Sequence, residues 1–265
     1  MSTSSKGTAL ITGASAGIGA IYADRLAKRG YDLILVARNE NRLNELATRL
    51  QNDTGRSVKT VVADLADKQD LRKVEKLLRE DASITMLVNN AGVGSVASIL
   101  KADVDEMEQM IDLNITALTR LTYAITPVFV EKKAGAIINI SSVVGIAAEL
   151  LNGVYNASKA YVLAFGHKLQ KELADTGVRV QTVLPAATST EFWDVAGYAA
   201  QKDNASTMSA IDLVDAALVG LDQGELVTIP TLQDGADWDN WEAARRALTP
   251  KFANAKPAPR YGIKS

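Results

Sequence analysis

Short apolar runs of β-type recur along the chain at 9–12, 32–37, 58–63, 86–89, 136–141, 179–184 and 226–229. Most are almost continuously apolar instead of alternating with polar residues, the pattern of strands buried on both faces. Between them lie longer stretches with an apolar residue every three or four positions. Leu43, Leu46, Ala47 and Leu50 make one such stripe, and Leu71, Val74, Leu77 and Leu78 another, each the buried face of a helix. Alternation of strand and helix predicts a parallel sheet with helices on both sides.

Some helix ends are also legible. Ser209-Ala210-Ile211-Asp212 fits a capping box with Asp in place of Glu. Gly30 follows an apparent helix over 21–29 and suits a C-cap. No repeat or linker interrupts the alternation. The predicted fold is therefore α/β: a single domain over 1–265 with a doubly wound parallel seven-stranded sheet and helices on both faces. Two segments depart from the pattern. Residues 191–208 form a long insertion between a strand and the next helix, and 256–265, with Pro257 and Pro259, is expected to be a tail of little regular structure.

Composition narrows the chemistry. With 265 residues, 47% of them hydrophobic, the chain can bury a large core, and its net charge of −2 gives no reason to expect nucleic acid or an anionic membrane as partner. The absence of cysteine removes disulfides, thiolate metal sites and a cysteine nucleophile. The single histidine, His167, leaves no multi-histidine site, so no metal is expected. The polar start at 1–7, followed by only a short apolar run, is not that of a signal peptide. No window approaches the roughly 18 apolar residues of a membrane span, and a soluble cytoplasmic protein is the expectation.

The first strand runs into Thr12-Gly13-Ala14-Ser15-Ala16-Gly17-Ile18-Gly19, with a helix directly after it. Glycines there let the chain turn and let backbone approach a pyrophosphate, and the free N–H groups of the first helical turn attract the anion. At the end of the second strand stands Arg38, placed to pair with a ribose 2′-phosphate. Glu40, two residues on, keeps an NAD site open as the alternative. The fifth strand ends in Ser141-Ser142, and a helix opens soon afterwards with Tyr155 and Lys159 at i and i+4 on one face. A neighbouring ammonium should lower the pKa of the phenol, giving a proton donor for carbonyl reduction and an acceptor for alcohol oxidation. Ser142, at a strand's carboxyl end, could donate to the substrate oxygen.

Taken together and in order, these motifs resemble the short-chain dehydrogenase/reductase family, and the match spans nearly the whole chain. The glycine turn has the family's TGxxxGxG form, from which contacts of Gly13, Ser15, Gly17, Ile18 and Gly19 with a dinucleotide are implied. Asp64-Leu65 stands where the family contacts adenine, and Asn89-Asn90-Ala91-Gly92 where it lines the cofactor. Asn114 is similar to the family's catalytic asparagine, which would hold a water linking Lys159 to solvent. The resemblance implies that Tyr155 transfers the proton, that Lys159 binds the nicotinamide ribose, and that Ser142 orients the substrate. Arg38 resembles the NADP-preferring branch, so NADP(H) is the implied cofactor and NAD(H) the alternative.

Residues Pro185, Thr188 and Thr190 would wrap the carboxamide end. Here the family's usual Pro-Gly is Pro185-Ala186, tolerable at a negative φ but not at a positive one. The insertion 191–208 lies where the family has its substrate lid, and Phe192 and Trp193 are its candidate contacts with a small apolar ketone, aldehyde or alcohol. The isolated charges Glu149 and Glu191 are expected to be solvated. The helices bearing Asn114 and Tyr155 could serve as core or as the interface of a homo-oligomer, a tetramer or dimer.

Two rival classes remain. A serine hydrolase would need a base, and the sole histidine lies mid-helix, well past Lys159. A dinucleotide-binding sensor without turnover would not need Tyr155 or Lys159, and both are present.

Overall fold

The computed structural model describes residues 5–202 and 204–263. The chain divides into two compact units, Met1–Pro230 and Thr231–Ser265. In the first, β1 (Thr8–Thr12), α1 (Gly17–Lys28), β2 (Asp32–Ala37), α2 (Glu40–Thr54), β3 (Val58–Val62), α3 (Lys68–Glu80) and β4 (Ile84–Asn89) alternate as expected. Then come α4 (Val104–Ile111), a π-helical turn (Asp112–Ala117), α5 (Leu118–Lys132), β5 (Gly135–Ile140), α6 (Gly153–Leu173) and β6 (Val178–Val183). The unit ends with β7 (Thr188–Ser189), α7 (Phe192–Ala196), β8 (Met208–Ser209), α8 (Ala210–Gln223) and β9 (Val227–Thr228).

Seven strands form one sheet in the order β3-β2-β1-β4-β5-β6-β9, and every pairing is parallel. The chain winds outward from β1 to β3, then returns to β4 on the other side of β1. The carboxyl ends of β1 and β4 therefore part into a crevice, the place where open α/β sheets bind ligands.

The continuous apolar runs follow from this double cover. Ala9, Ile11, Leu33, Leu35, Met86 and Ile138 point to the face covered by α1, α2 and α8. Their neighbours Leu10, Ile34, Val36, Leu87 and Ile137 point to the other, against α3, α5 and α6. Each fully buried Leu or Ile contributes about 1.5–3 kcal/mol. Among the described residues no helix is long and apolar enough to cross a membrane.

Departures from expectation concern ends and insertions. Helix α1 starts at Gly17, inside the glycine turn, not at Ile21. The helix expected from Asn114 starts upstream at Val104 and passes through the π turn. Gly30 does close α1, at φ +95°, with Tyr31 N–H donating to Leu26 O. Ser209 caps α8 by accepting from Asp212 N–H, but its hydroxyl donates to the Asp212 carboxylate, where a full capping box would have that carboxylate reach back to backbone. Ala186 keeps an ordinary φ, since Lys133 and Leu151 are the described non-glycine residues with positive φ. The insertion is partly ordered: α7 lies in it, and its ends are tied by the parallel pairing of β7 with β8. Asp203 and the tail residues 264–265 lie outside the described residues.

In the second unit, α9 (Gly235–Leu248) starts on the Asp234 cap, and Trp238 and Trp241 stack with ring centroids 4.9 Å apart. Glu242 takes Arg245 and Arg246 on the same helix. The tail predicted over 256–265 contains one 3-10 turn, Pro259–Tyr261.

Helix α6 lies against β6 through Gly166, where a Cβ would fall 2.1 Å from Thr182 Oγ1. Helix propensity alone favours Gly166→Ala by about 1 kcal/mol. Crowding a buried contact costs ~1–3 kcal/mol and should win, lowering the urea midpoint, and adding Thr182→Ala should recover most of the loss. A more stable Gly166→Ala single variant would contradict this packing.

Candidate active site

The glycine turn crosses the crevice between β1 and β4. Gly13 sits at φ +64° and Gly17 at φ +53°, conformations that glycine adopts readily. A Cβ on Gly13 would come within 2.9 Å of Ala91 Cα, and one on Gly19 within 2.3 Å of Gly13 O. Thr12 fastens the turn to β4: its hydroxyl donates to Val88 O and accepts from the N–H groups of Asn90 and Ala91, both at 3.0 Å. The Asn90 amide returns to Thr12 O and Gly13 O. Sequence reasoning picked out Gly13, Asn90 and Ala91, which meet here, but missed the Thr12 hydroxyl that joins them.

Helix α1 begins differently from the other long helices that start from a loop, α5 being a continuation of the π turn. Asn39, Asp67, Asp103, Asn152, Ser209 and Asp234 accept backbone N–H bonds at the starts of α2, α3, α4, α6, α8 and α9. At α1 the N-cap is Ala16, which offers no side-chain acceptor, and the first turn carries no acid. The N–H groups there, beside half-buried Ser15 and Ile18, are open to an anion. Thr190 lies across this turn, 3.3 Å from the position of a Cβ on Gly17.

The run Gly13-Ala14-Ser15-Ala16-Gly17 also spells the Gly-x-Ser-x-Gly of a hydrolase elbow. The base such a serine needs is missing from its side of the sheet. His167 is twelve residues beyond Tyr155 on α6, which at ~1.5 Å per residue places it roughly 18 Å down the helix, towards the opposite edge.

At the outer end of the crevice, Arg38 follows β2 with 70% of its side chain exposed and Nη1 3.9 Å from Asp64 Oδ2. Leu65 beside it is buried, and Glu40 stands exposed in the first turn of α2. Glu191 is not the isolated solvated charge that was expected. Its Oε2 takes Arg42 Nη1 of α2 at 2.6 Å, and this contact holds the Arg42 pKa above its ordinary value.

At the inner end stand Ser142, Tyr155 and Lys159. Asn152 positions the latter two by capping α6: its Oδ1 accepts from Val154 and Tyr155 N–H, while its amide donates to Ala97 O. An Asn directly before a helix is an ordinary capping signal, and sequence reasoning passed over it. Ser142 lies close enough to the Tyr155 hydroxyl to favour its ionised form. Ser142 Oγ donates to Pro185 O at 3.2 Å. Lys159 Nζ lies 5.7 Å from the Tyr155 ring centroid and donates to Ile140 O at 3.0 Å.

Asn114, in the π turn, accepts from Val93 N–H and donates to Val93 O and Ser158 Oγ. Gly92 lies between the two groups: a Cβ there would be 3.1 Å from Asn114 Oδ1 and 3.6 Å from Lys159 Nζ.

The electrostatics correct one expectation. Burial pushes the Tyr155 phenol up to about 12, opposed only in part by the nearby Ser142 hydroxyl. The lysine does not bring it down, because Nζ lies towards Ile140 O and over the ring. Burial also lowers Lys159 to about 8.

Of the remaining predicted residues, Pro185 is buried and its carbonyl accepts from Val143 N–H as well as from Ser142. Thr188 O accepts from Trp193 Nε1 at 2.9 Å, and Thr190 Oγ1 from Phe192 N–H. Trp193 is buried as the anchor of α7, while Phe192 projects against Tyr155 with ring centroids 5.6 Å apart.

The lowered Lys159 pKa carries a sign. Between pH 8 and 10.5 the unfolded chain holds a proton at Lys159 that the folded chain has released, so the folded state gains stability as pH rises through that window. Relative to Lys159→Met, the wild type should gain on the order of 2–3 kcal/mol in urea unfolding across it. A relative loss over the same range would show that the ammonium is not desolvated.

Comparison with known proteins agrees with the geometry. Residues 7–199 match the family model described as short chain dehydrogenase. A short-chain dehydrogenase from Sphingobium yanoikuyae, solved in complex with NADPH, is 49% identical, with 96% of this chain and 100% of that one covered at a TM-score of 0.93. The bulky-bulky ketone specific alcohol dehydrogenase from Comamonas testosteroni is 42% identical, with 97% and 99% covered at a TM-score of 0.90. An oxidoreductase of Staphylococcus saprophyticus is 36% identical over 222 residues, 83% of this chain and 93% of that protein. The crevice, the uncapped α1 and this family match agree: the chain belongs to the short-chain dehydrogenase family of oxidoreductases.

Proposed function

We propose that the protein is an NADP(H)-dependent oxidoreductase that interconverts a ketone or aldehyde with an alcohol on a small apolar substrate, with Tyr155 as the acid/base. The observation that carries this reading is the convergence of Ser142, Tyr155 and buried Lys159, with Nζ 5.7 Å from the Tyr155 ring centroid and facing the bare Gly92.

The residues fit a nicotinamide dinucleotide. Gly13 and Gly19 leave no room for side chains, and the first turn of α1 has N–H groups to spare for a pyrophosphate. An ammonium has three donors; Ile140 O takes one, and Lys159 Nζ can offer others to ribose hydroxyls in front of Gly92. Thr190 lies against the turn, 3.3 Å from the position of a Cβ on Gly17. When bound, the nicotinamide supplies or accepts the hydride.

The chain's own residues supply the rest. Ser142 Oγ turns from Pro185 O to hold the substrate oxygen. Tyr155 gives that oxygen a proton during reduction and takes it back during oxidation. A phenol held at about 12 retains its proton at neutral pH and so suits the donor role. Lys159, still largely protonated at neutral pH, stabilises the phenolate as it forms. Asn114, in contact with the Val93 backbone and flanking Gly92, would hold the water that returns protons to Lys159. Val144, Met107 and Met110 make the surroundings of Tyr155 apolar, which excludes water and matches an apolar substrate. The NADPH complex of the Sphingobium relative and the ketone specificity of the Comamonas relative support the cofactor and the carbonyl substrate, and the bulky ketones of the latter run against the small size.

Tyr155→Phe should lower kcat by about 10²–10⁴-fold while changing the NADPH dissociation constant by less than about threefold. Retained turnover would remove the phenol from the mechanism, and a wild type that binds NADPH without oxidising it against any ketone would favour the sensor reading. Arg38→Asp should shift the NADPH:NADH preference towards NADH by roughly 10–100-fold, the worth of one charge-assisted hydrogen bond. A native preference for NADH would contradict the 2′-phosphate role of Arg38.

A further inference from the structure

The lid ring of Phe192 is wedged against the candidate acid. On one side it meets the Tyr155 ring at 5.6 Å between centroids and an angle of 44°. On the other its tip reaches Gly94, in the loop after β4: a Cβ on Gly94 would lie 2.2 Å from Phe192 Cζ and 2.6 Å from Cε2. Gly94 is buried and has no positive φ, so its backbone does not require glycine there. The ring does. Trp193 holds the helix behind, edge-on to Phe192 at 5.3 Å and bonded to Thr188 O. Val96 N–H, two residues past Gly94, donates to Ala196 O and keeps lid and loop together.

A carbonyl oxygen that reaches the hydroxyls of Tyr155 and Ser142 can set one of its substituents beside the Tyr155 ring. Part of that ground is occupied by Phe192. The occupant is flat, apolar and one aromatic ring in size, and the notch that receives it is shaped by a missing side chain.

We infer that Phe192 occupies the apolar subsite of the substrate, that Gly94 is the notch setting the size of that subsite, and that the preferred substrates carry an aryl-sized group which displaces the Phe192 ring. The inference rests on the oxidoreductase reading of the same site. It gives the two residues opposite effects. Shortening residue 192 removes a competitor and leaves the notch open. Lengthening residue 94 fills the notch and excludes ring and substrate alike.

The test compares acetophenone with acetone, using NADPH, for the wild type, Phe192→Ala and Gly94→Ala. Phe192→Ala should raise the acetophenone:acetone ratio of kcat/KM by about tenfold or more, and Gly94→Ala should lower it by a similar factor, within the range that pocket size confers on apolar groups. Movement of both ratios in one direction, or of neither, overturns the subsite. A second readout needs no turnover. Spectrophotometric titration should show the Tyr155 phenol of Phe192→Ala moving down from about 12, identified by its loss in Phe192→Ala/Tyr155→Phe. An unchanged titration overturns the placement of the ring. Absence of turnover with every carbonyl and both dinucleotides would instead sink the functional reading, with the titration still deciding where the ring sits. Phe192→Ala only trims a part-exposed side chain, so the test survives a Gly94→Ala variant that fails to fold.

Discussion

The structure of the site depends on one buried ammonium. Lys159 is almost wholly inaccessible, four residues past Tyr155 on α6, and its Nζ is held on the last carbonyl of β5, Ile140 O. A buried charge is costly unless it is hydrogen-bonded, and one carbonyl satisfies one of three donors. The Ser141 hydroxyl donates to Lys159 O and holds the helix against the strand end from the backbone side. Asn152 fixes where that helix starts. The close approach at Gly166 extends the same contact along α6 to β6. Tyr155, Ser142 and the open face of Gly92 take their positions from this docking.

Much of this could be read from the chain. Buried parallel strands make continuous apolar runs, and the seven runs found are the seven strands of the sheet, β2 with the same bounds and the others shifted by one or two residues at an end. The ends moved because the pairing partner, not residue type, decides where a strand stops. The motif residues were legible because each sits at a fixed place relative to a strand end, which alternation reveals. Other features depend on contacts between distant segments and leave no local trace. The pairing of β7 with β8 involves two residues from each segment. The Arg42–Glu191 bridge joins α2 to the lid across 149 positions. The role of Gly94 shows only once the Phe192 ring is seen against it.

Besides the paired Glu191, the phenol was the chemical expectation that failed. An ammonium one helical turn away suggests a depressed pKa. In the folded chain burial outweighs it, because the ammonium approaches the ring and a carbonyl, not the hydroxyl. The Phe192 ring adds to that burial. The same apolar surroundings that push the phenol up would strengthen the attraction of the Tyr155 and Ser142 donors for any charge that develops on the substrate oxygen.

The most direct test of this account is a crystal structure of the protein with oxidised NADP and a secondary alcohol. The account predicts the alcohol oxygen at about 2.7 Å from both Tyr155 Oη and Ser142 Oγ, with Lys159 Nζ turned to the ribose hydroxyls in front of Gly92. An alcohol lodged away from both hydroxyls, with Lys159 Nζ still confined to Ile140 O, would contradict it.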